Sequence, residues 1–194
     1  MNKELVLILG GARSGKSSFA QRLAKKAGGN VLFLATAQAG DDEMAERIAR
    51  HKASRPATWR TVEEPLELAS ALQAEASSAD VVIVDCLTLW LSNLLLRDGS
   101  ASEVEVLGQV DRLLDVYEKG TASCIVVSGE VGLGLVPPYP LGRVFRDIMG
   151  WMNQKLARRA DKVFLMLAGI PLELKSLGVP WVGITDEKDA GDGM

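Results

Sequence analysis

The 194-residue chain has one histidine, two cysteines and no block of five or more basic residues. Each scarcity excludes something. With a net charge of -3 and a pI near 5.3, the chain offers no general phosphate-tracking surface, so no nucleic acid is expected as a partner. Asp85 and Asn93 interrupt the best apolar candidate before it reaches the roughly 18 residues of a membrane helix, so no membrane span is expected. Met1-Asn2-Lys3-Glu4 runs into a short apolar stretch backed by Gly10 and Gly11, which is too short and wrongly flanked for a secretory signal, and a cytoplasmic location is expected. Cys86 and Cys124 border apolar runs without metal-ligand spacing and read as buried free thiols. There is no internal repeat, no low-complexity tract, and no Asn-Lys-x-Asp segment of the kind that reads guanine in ordinary GTPases.

What is present is alternation. Apolar, β-branched-rich runs at Leu5 to Leu9, Val31 to Leu34, Val81 to Val84, Cys124 to Val127 and Val163 to Leu167 read as buried strands. Helical patterns at Lys16 to Lys26, Asp42 to Ala53, Pro65 to Ala76, Leu87 to Leu96, Val104 to Glu118 and Leu141 to Arg158 lie between them. Strands without a polar face, alternating with helices, predict an α/β fold: a mostly parallel sheet covered by helices on both faces. The length and the 47% apolar content suit one domain over residues 1–194. Arg97 to Ser102 reads as a loop, and the polar end from Thr185 to Met194 as a mobile tail.

Gly10-Gly11-Ala12-Arg13-Ser14-Gly15-Lys16-Ser17 fits G-x-x-x-x-G-K-[ST], with a strand before it and a helix after it. In such a phosphate-binding loop, or P-loop, glycines let successive backbone N–H groups face phosphate oxygens, and the helix adds its positive N-terminal end. Lys16 is then the cation for the β and γ phosphates, and the Ser17 hydroxyl a magnesium ligand, so a nucleoside triphosphate is the expected ligand. The second magnesium ligand is sought at the carboxyl end of a neighbouring apolar strand, where Val81 to Cys86 places Asp85; a helix N-cap or turn is the other reading of that aspartate. Ligands of parallel sheets bind at the strands' carboxyl ends, so Ala35-Thr36-Ala37 and Ser128-Gly129-Glu130 are expected to face the same crevice.

Met44, Ile48 and His51 fall at helical spacing, which puts the lone histidine on an apolar face, pointing inward, beside Arg47, Arg50, Lys52 and Arg55. The cations read either as a solvated face or as partners for a polyphosphate. His51 itself reads either as a packed or capping residue near a helix C-terminus or as a nucleophile, since a neutral imidazole can attack phosphorus to give a phosphoramidate.

Taken together, "GGARSGKS", "DDEMAERIARHKASRPATW", "TVEEP", "VVIVDCLTLWLSNLL" and "GLVPPYPLGRVFRDIMGWMNQKLARRAD" resemble the bifunctional adenosylcobinamide kinase and adenosylcobinamide-phosphate guanylyltransferase family of cobalamin biosynthesis, from about Leu5 to about Lys175. The resemblance implies a RecA-like P-loop NTPase fold and a homotrimer. It also implies phosphorylation of the aminopropanol hydroxyl of adenosylcobinamide by GTP or ATP with Mg2+. A second reaction would then follow, in which GMP passes from GTP through a GMP-histidine to adenosylcobinamide phosphate. By the same resemblance His51 is the guanylylated histidine and Lys16 the second catalytic residue. The implied nucleotide contacts are Gly10 to Ser17, Ala35, Thr36, Ala37, Lys52, Ala53, Ser54, Arg55, Glu63 and Asp85. This chain departs from the family's usual Asn-Glu-Val-Gly, reading Gly129-Glu130-Val131-Gly132, so any contact from that asparagine side chain is absent. A monofunctional P-loop small-molecule kinase with a structural His51 is the alternative.

Overall fold

A computed structural model of the chain describes residues 3–98 and 102–178. Along the chain run β1 (Leu5–Gly10), α1 (Lys16–Ala27), β2 (Val31–Ala35), α2 (Asp42–Ala53), β3 (Arg60–Glu63), α3 (Leu68–Glu75), β4 (Val81–Asp85), α4 (Leu87–Asp98), α5 (Glu103–Lys119), β5 (Ser123–Val127), α6 (Pro140–Arg159), β6 (Lys162–Leu167), β7 (Ile170–Glu173) and the short α7 (Leu174–Leu177). The strands form one seven-stranded sheet in the order β3-β2-β4-β5-β1-β6-β7. All pairings are parallel except that of β6 with β7. Because β5 separates the phosphate-loop strand β1 from the Asp85 strand β4, the arrangement is that of the RecA-like branch of P-loop folds.

The runs that lack polar residues form the middle of this sheet, where both faces are covered. Leu5, Leu7, Leu34, Val84 and Val126 pack under α3, α4, α5 and α6, while Val6, Ile8, Phe33, Ile83 and Val127 meet α1 on the other face. Helix α5 starts with a reciprocal box in which Ser102 accepts from Glu105 N–H and the Glu105 carboxylate accepts from Ser102 N–H. Trp90, wholly buried, donates its indole N–H to the Leu66 carbonyl at 2.7 Å.

Both edge strands escape the sequence pattern. β3 reads Arg-Thr-Val-Glu and pairs on one side only; β7 contains Pro171, which is tolerated at an edge because no ladder hydrogen bond is demanded of it there. Helix α4 also continues through Arg97 and Asp98, which the sequence assigns to a loop. The rest of that loop at 99–101, and the polar tail at 185–194, lie outside the described residues. Cys86 and Cys124 are free, as expected; Cys124 is buried, which pushes its thiol up to about 12, whereas Cys86 is only half-buried.

Ser128 departs from its expected position in the crevice. It is fully buried, and its hydroxyl donates to Asn153 Oδ1 of α6 at 2.6 Å, while Asn153 Nδ2 donates to the Gly129 carbonyl at 2.9 Å. Ser128 and Asn153 tie α6 to the end of β5. Replacing Asn153 by Ala strands two buried polar groups, at a cost of about 2 kcal/mol. A melting temperature lowered by roughly 4–8 °C is expected, measured by calorimetry, with part of the loss recovered when Ser128→Ala is added.

Candidate active site

The loop after β1 turns too tightly for ordinary residues. Gly10 has φ +147°, and a Cβ there would meet the Met166 carbonyl oxygen at 2.7 Å; Gly15 has φ +94° as it opens α1. Between them Arg13 is also left-handed, at φ 56°. The carbonyl of Ser14 accepts from Gly169 N–H of the β6–β7 turn at 3.2 Å, which anchors the loop to its neighbouring strand. The arch therefore presents its N–H groups at the first turn of α1, which carries no acidic residue to compete with an anion.

Inside this arch Lys16 Nζ donates to the Gly11 carbonyl at 2.6 Å. Burial lowers the Lys16 pKa, opposed by the charge of Asp85 and assisted by Arg47 of α2. Ser17 Oγ donates to Asp85 Oδ1 at 3.2 Å, so the last residue of β4 is joined to the first turn of α1. Burial raises the Asp85 pKa, while the Ser17 hydrogen bond and the charges of His51, Arg55 and Lys16 pull it down.

Helix α2 delivers the second set of groups. Asp41 accepts from Met44 N–H at 2.7 Å as its N-cap, and Arg50, His51 and Lys52 fill its last turn. Met44, Ile48 and His51 are its half-buried residues and face inward as expected, but none of its residues is fully buried, which corrects the buried face expected for His51. With only Met44 and Ile48 as sizeable apolar residues, the stripe is too narrow to enter the core. Instead Met44, Arg47, Ile48, His51, Lys52 and Arg55 line a small cavity of about 60 Å³ with Ala35, Ala37, Glu63 and Asp85.

The four cations expected on this segment divide. Arg50 does not line the cavity; Arg47, Lys52 and Arg55 do. Lys52 pairs with Glu63 at 2.9 Å, with both side chains exposed, a contact worth little in stability. The Arg55 guanidinium lies over the Phe33 ring, 3.7 Å from its centroid, and burial lowers its pKa. Arg55 Nε and Ser14 Oγ are the buried side-chain polar atoms without a hydrogen-bond partner among the described residues, and both flank this site.

Thr36 does not reach the cavity. It is fully buried, its hydroxyl donating to the Cys86 carbonyl at 2.7 Å and accepting from Cys86 N–H at 2.8 Å, so it clips the ends of β2 and β4 together. Asn93 extends that clip by donating to the Thr36 carbonyl at 2.8 Å. Thr88 accepts from Gly129 N–H at 2.8 Å and occupies the space that a Cβ at Gly129 would enter, 2.7 Å from its hydroxyl oxygen. Nothing local in the sequence marks Asn93 or Thr88, because both act through residues on other strands.

Residues 6–174 match the family model described as cobinamide kinase / cobinamide phosphate guanyltransferase. The chain belongs to this family. It is 50% identical over 169 residues to a bifunctional adenosylcobalamin biosynthesis protein, CobP, of Pseudomonas aeruginosa, covering 87% of this chain and 96% of the relative. It is 39% identical over 181 residues to the bifunctional adenosylcobalamin biosynthesis protein CobU of Salmonella typhimurium, covering 88% and 99%. A KaiC-like protein of Pyrococcus horikoshii aligns over 84% of this chain and 70% of its own, at 14% identity and a TM-score of 0.49.

The half-buried Asp85 carboxylate makes a stability test possible. An acid whose pKa is higher in the folded state binds its proton more tightly there, so stability falls as pH rises from the ordinary aspartate value of 3.8 through the folded value. Asp85→Asn removes that loss. The variant is expected to melt at or above the wild-type temperature at pH 7, with the difference shrinking towards pH 4; a destabilised variant at pH 7 would contradict the direction assigned to Asp85.

Proposed function

We propose that the chain phosphorylates the aminopropanol hydroxyl of adenosylcobinamide with GTP or ATP. It then transfers GMP from GTP through His51 to the new phosphate, giving adenosylcobinamide-GDP. The observation that carries this reading is that Asp85, which accepts from Ser17 at the start of the phosphate-loop helix, lines the same small cavity as His51 of α2. This supports a kinase site and a nucleophile for the α phosphorus on either side of one carboxylate.

Phosphoryl and nucleotidyl transfer depend on positioning and on neutralising phosphate charge. The loop amides, Lys16, Arg47 and Arg55 supply cationic or donor groups for a polyphosphate; Lys52, Glu63, Ala35 and Ala37 line the cavity at the end of β2, whereas Thr36, Ala53 and Ser54 do not line it. In the first reaction the hydroxyl oxygen bonds to the γ phosphorus and the nucleoside diphosphate leaves. In the second an imidazole nitrogen of His51 bonds to the α phosphorus and pyrophosphate leaves. The phosphate of the corrinoid then takes GMP and frees the imidazole.

Magnesium suits the donor set. Ser17 Oγ and Asp85 Oδ1 are adjacent hard oxygens, and no group of three or more His, Cys, Asp or Glu among the described residues offers a complete cage. One carboxylate, one hydroxyl and phosphate oxygens make up the usual Mg2+ environment. Held by Ser17 and Asp85, the ion would supply positive charge against the developing charge of the polyphosphate.

His51→Asn separates the two chemistries, because asparagine is polar and of comparable size but cannot form the phosphoramidate. Incubation with α-labelled and γ-labelled GTP is expected to show loss of protein-bound GMP and of adenosylcobinamide-GDP, with phosphorylation of adenosylcobinamide retained. Lys16→Ala is expected to lower both rates by about 100-fold to 1000-fold. A wild-type chain that phosphorylates adenosylcobinamide but takes no label from α-labelled GTP would reduce the reading to a monofunctional kinase.

A homotrimer belongs to the same reading. Tyr139, Leu141, Val144 and Trp151 expose large apolar side chains along the start and one flank of α6, and we assign that flank to contact with further copies of the chain. No helix among the described residues is long and apolar enough to cross a membrane. Sedimentation equilibrium is expected to give three copies, and Leu141→Asp with Val144→Asp to give a smaller species.

A further inference from the structure

The phosphorylation step needs an acceptor for the hydroxyl proton. Acidic residues occur at or within three positions of the carboxyl end of a parallel strand in four places: Glu63 and Glu64 at β3, Asp85 at β4 and Glu130 at β5. Three are already engaged. Glu63 pairs with Lys52 on the edge strand, Glu64 Oε1 accepts from Leu66 N–H and Glu67 N–H at 2.8 Å each, and Asp85 is bonded to Ser17.

Glu130 differs in both place and partners. Its own N–H donates to the Gly10 carbonyl at 3.0 Å, so its backbone is hydrogen-bonded to the residue that opens the phosphate loop. Its carboxylate, half-buried, accepts one hydrogen bond, from Gly132 N–H to Oε1 at 2.7 Å. That contact orients the side chain and leaves the second oxygen available. The backbone leading to it is held from two sides, by Thr88 on Gly129 N–H and by Asn153 on the Gly129 carbonyl. A general base must be positioned before its basicity matters, and this one stands on a rigid strand end beside the P-loop.

We propose that Glu130 is the general base of the kinase step, an assignment that rests on the function proposed above. As the substrate hydroxyl oxygen forms its bond to the γ phosphorus, the bond from that phosphorus to the β–γ bridging oxygen breaks. The nucleoside diphosphate leaves with the electron pair, and the hydroxyl proton passes to the Glu130 carboxylate and then to water. Glu130 has no part in the attack on the α phosphorus, where an imidazole nitrogen uses its lone pair. Strand order separates the two roles: α2 follows β2 on one side of Asp85, and Glu130 lies on the β5–β1 side.

Glu130→Gln tests the assignment through three readouts on one preparation: γ-phosphate transfer to adenosylcobinamide, protein-bound GMP from α-labelled GTP, and GMP transfer to supplied adenosylcobinamide phosphate. Kinase turnover is expected to fall by about 100-fold or more, with both GMP readouts within about threefold of wild type. The kinase pH profile should lose its acidic limb. Kinase turnover within threefold of wild type, a parallel fall of the GMP readouts, or an unchanged acidic limb would each overturn the proposal. Glu130→Ala guards against a packing artefact: its kinase rate is expected to recover partly with added formate, and no recovery would count against a proton-transfer role. If the wild-type chain itself neither phosphorylates adenosylcobinamide nor takes the label, the underlying function falls; if it does both and Glu130→Gln matches it, only the base assignment falls.

Discussion

A half-buried carboxylate at the end of a central strand needs positive charge around it, and Asp85 is the point from which the rest of this site is arranged. Its ionised form is disfavoured by burial, and Ser17, His51, Arg55 and Lys16 all act in the opposite sense. These groups come from three segments: the start of α1, helix α2 and the turn after α2. The same carboxylate therefore draws together the phosphate loop and the helix that carries the only histidine. In a parallel sheet this convergence follows naturally, because every parallel strand delivers its following loop to one end.

Rigidity and looseness are divided accordingly. On the sheet side, Thr36, Asn93, Thr88, Ser128 and Asn153 are committed to backbone or to one another, and they fix the ends of β2, β4 and β5. On the other side, α2 contributes no residue to the core. Fixed strand ends suit the placement of phosphates, which tolerate little misalignment during in-line transfer. A helix held mainly by polar contacts and a small cavity has fewer apolar contacts opposing its movement than the buried helices have. Two reactions at different phosphorus atoms of a nucleotide require the nucleophile and the polyphosphate to meet in two registers, and α2, with no residue in the core, has less packing to resist such adjustment than the buried helices have.

Much of the molecule is legible in the amino-acid sequence. The phosphate loop is, because its function needs left-handed backbone at set positions and hence glycine at set spacing; Gly10 and Gly15 have those angles. The central strands are, because burial on both faces demands uninterrupted apolar runs. The helix of His51 is also legible as an element, from its Asp41 cap and its 3.6-residue periodicity. Its depth is not. An amphipathic stripe says which face turns inward but not whether the sheet extends far enough beneath it to bury that face.

What the amino-acid sequence determined by itself is local: which segments coil, which extend, and where a backbone can turn tightly around an anion. Tertiary structure alone decided strand order and everything that follows from it. Placing β5 between β1 and β4 brings Glu130 beside Gly10, a pair separated by most of the chain. Edge strands β3 and β7 were hidden because an edge needs neither two apolar faces nor a full ladder, so arginine, glutamate and proline are admissible there. The fates of Thr36 and Ser128 were hidden for a related reason: a short polar residue after a strand can face a ligand or a neighbouring backbone, and only the neighbour's position chooses between them.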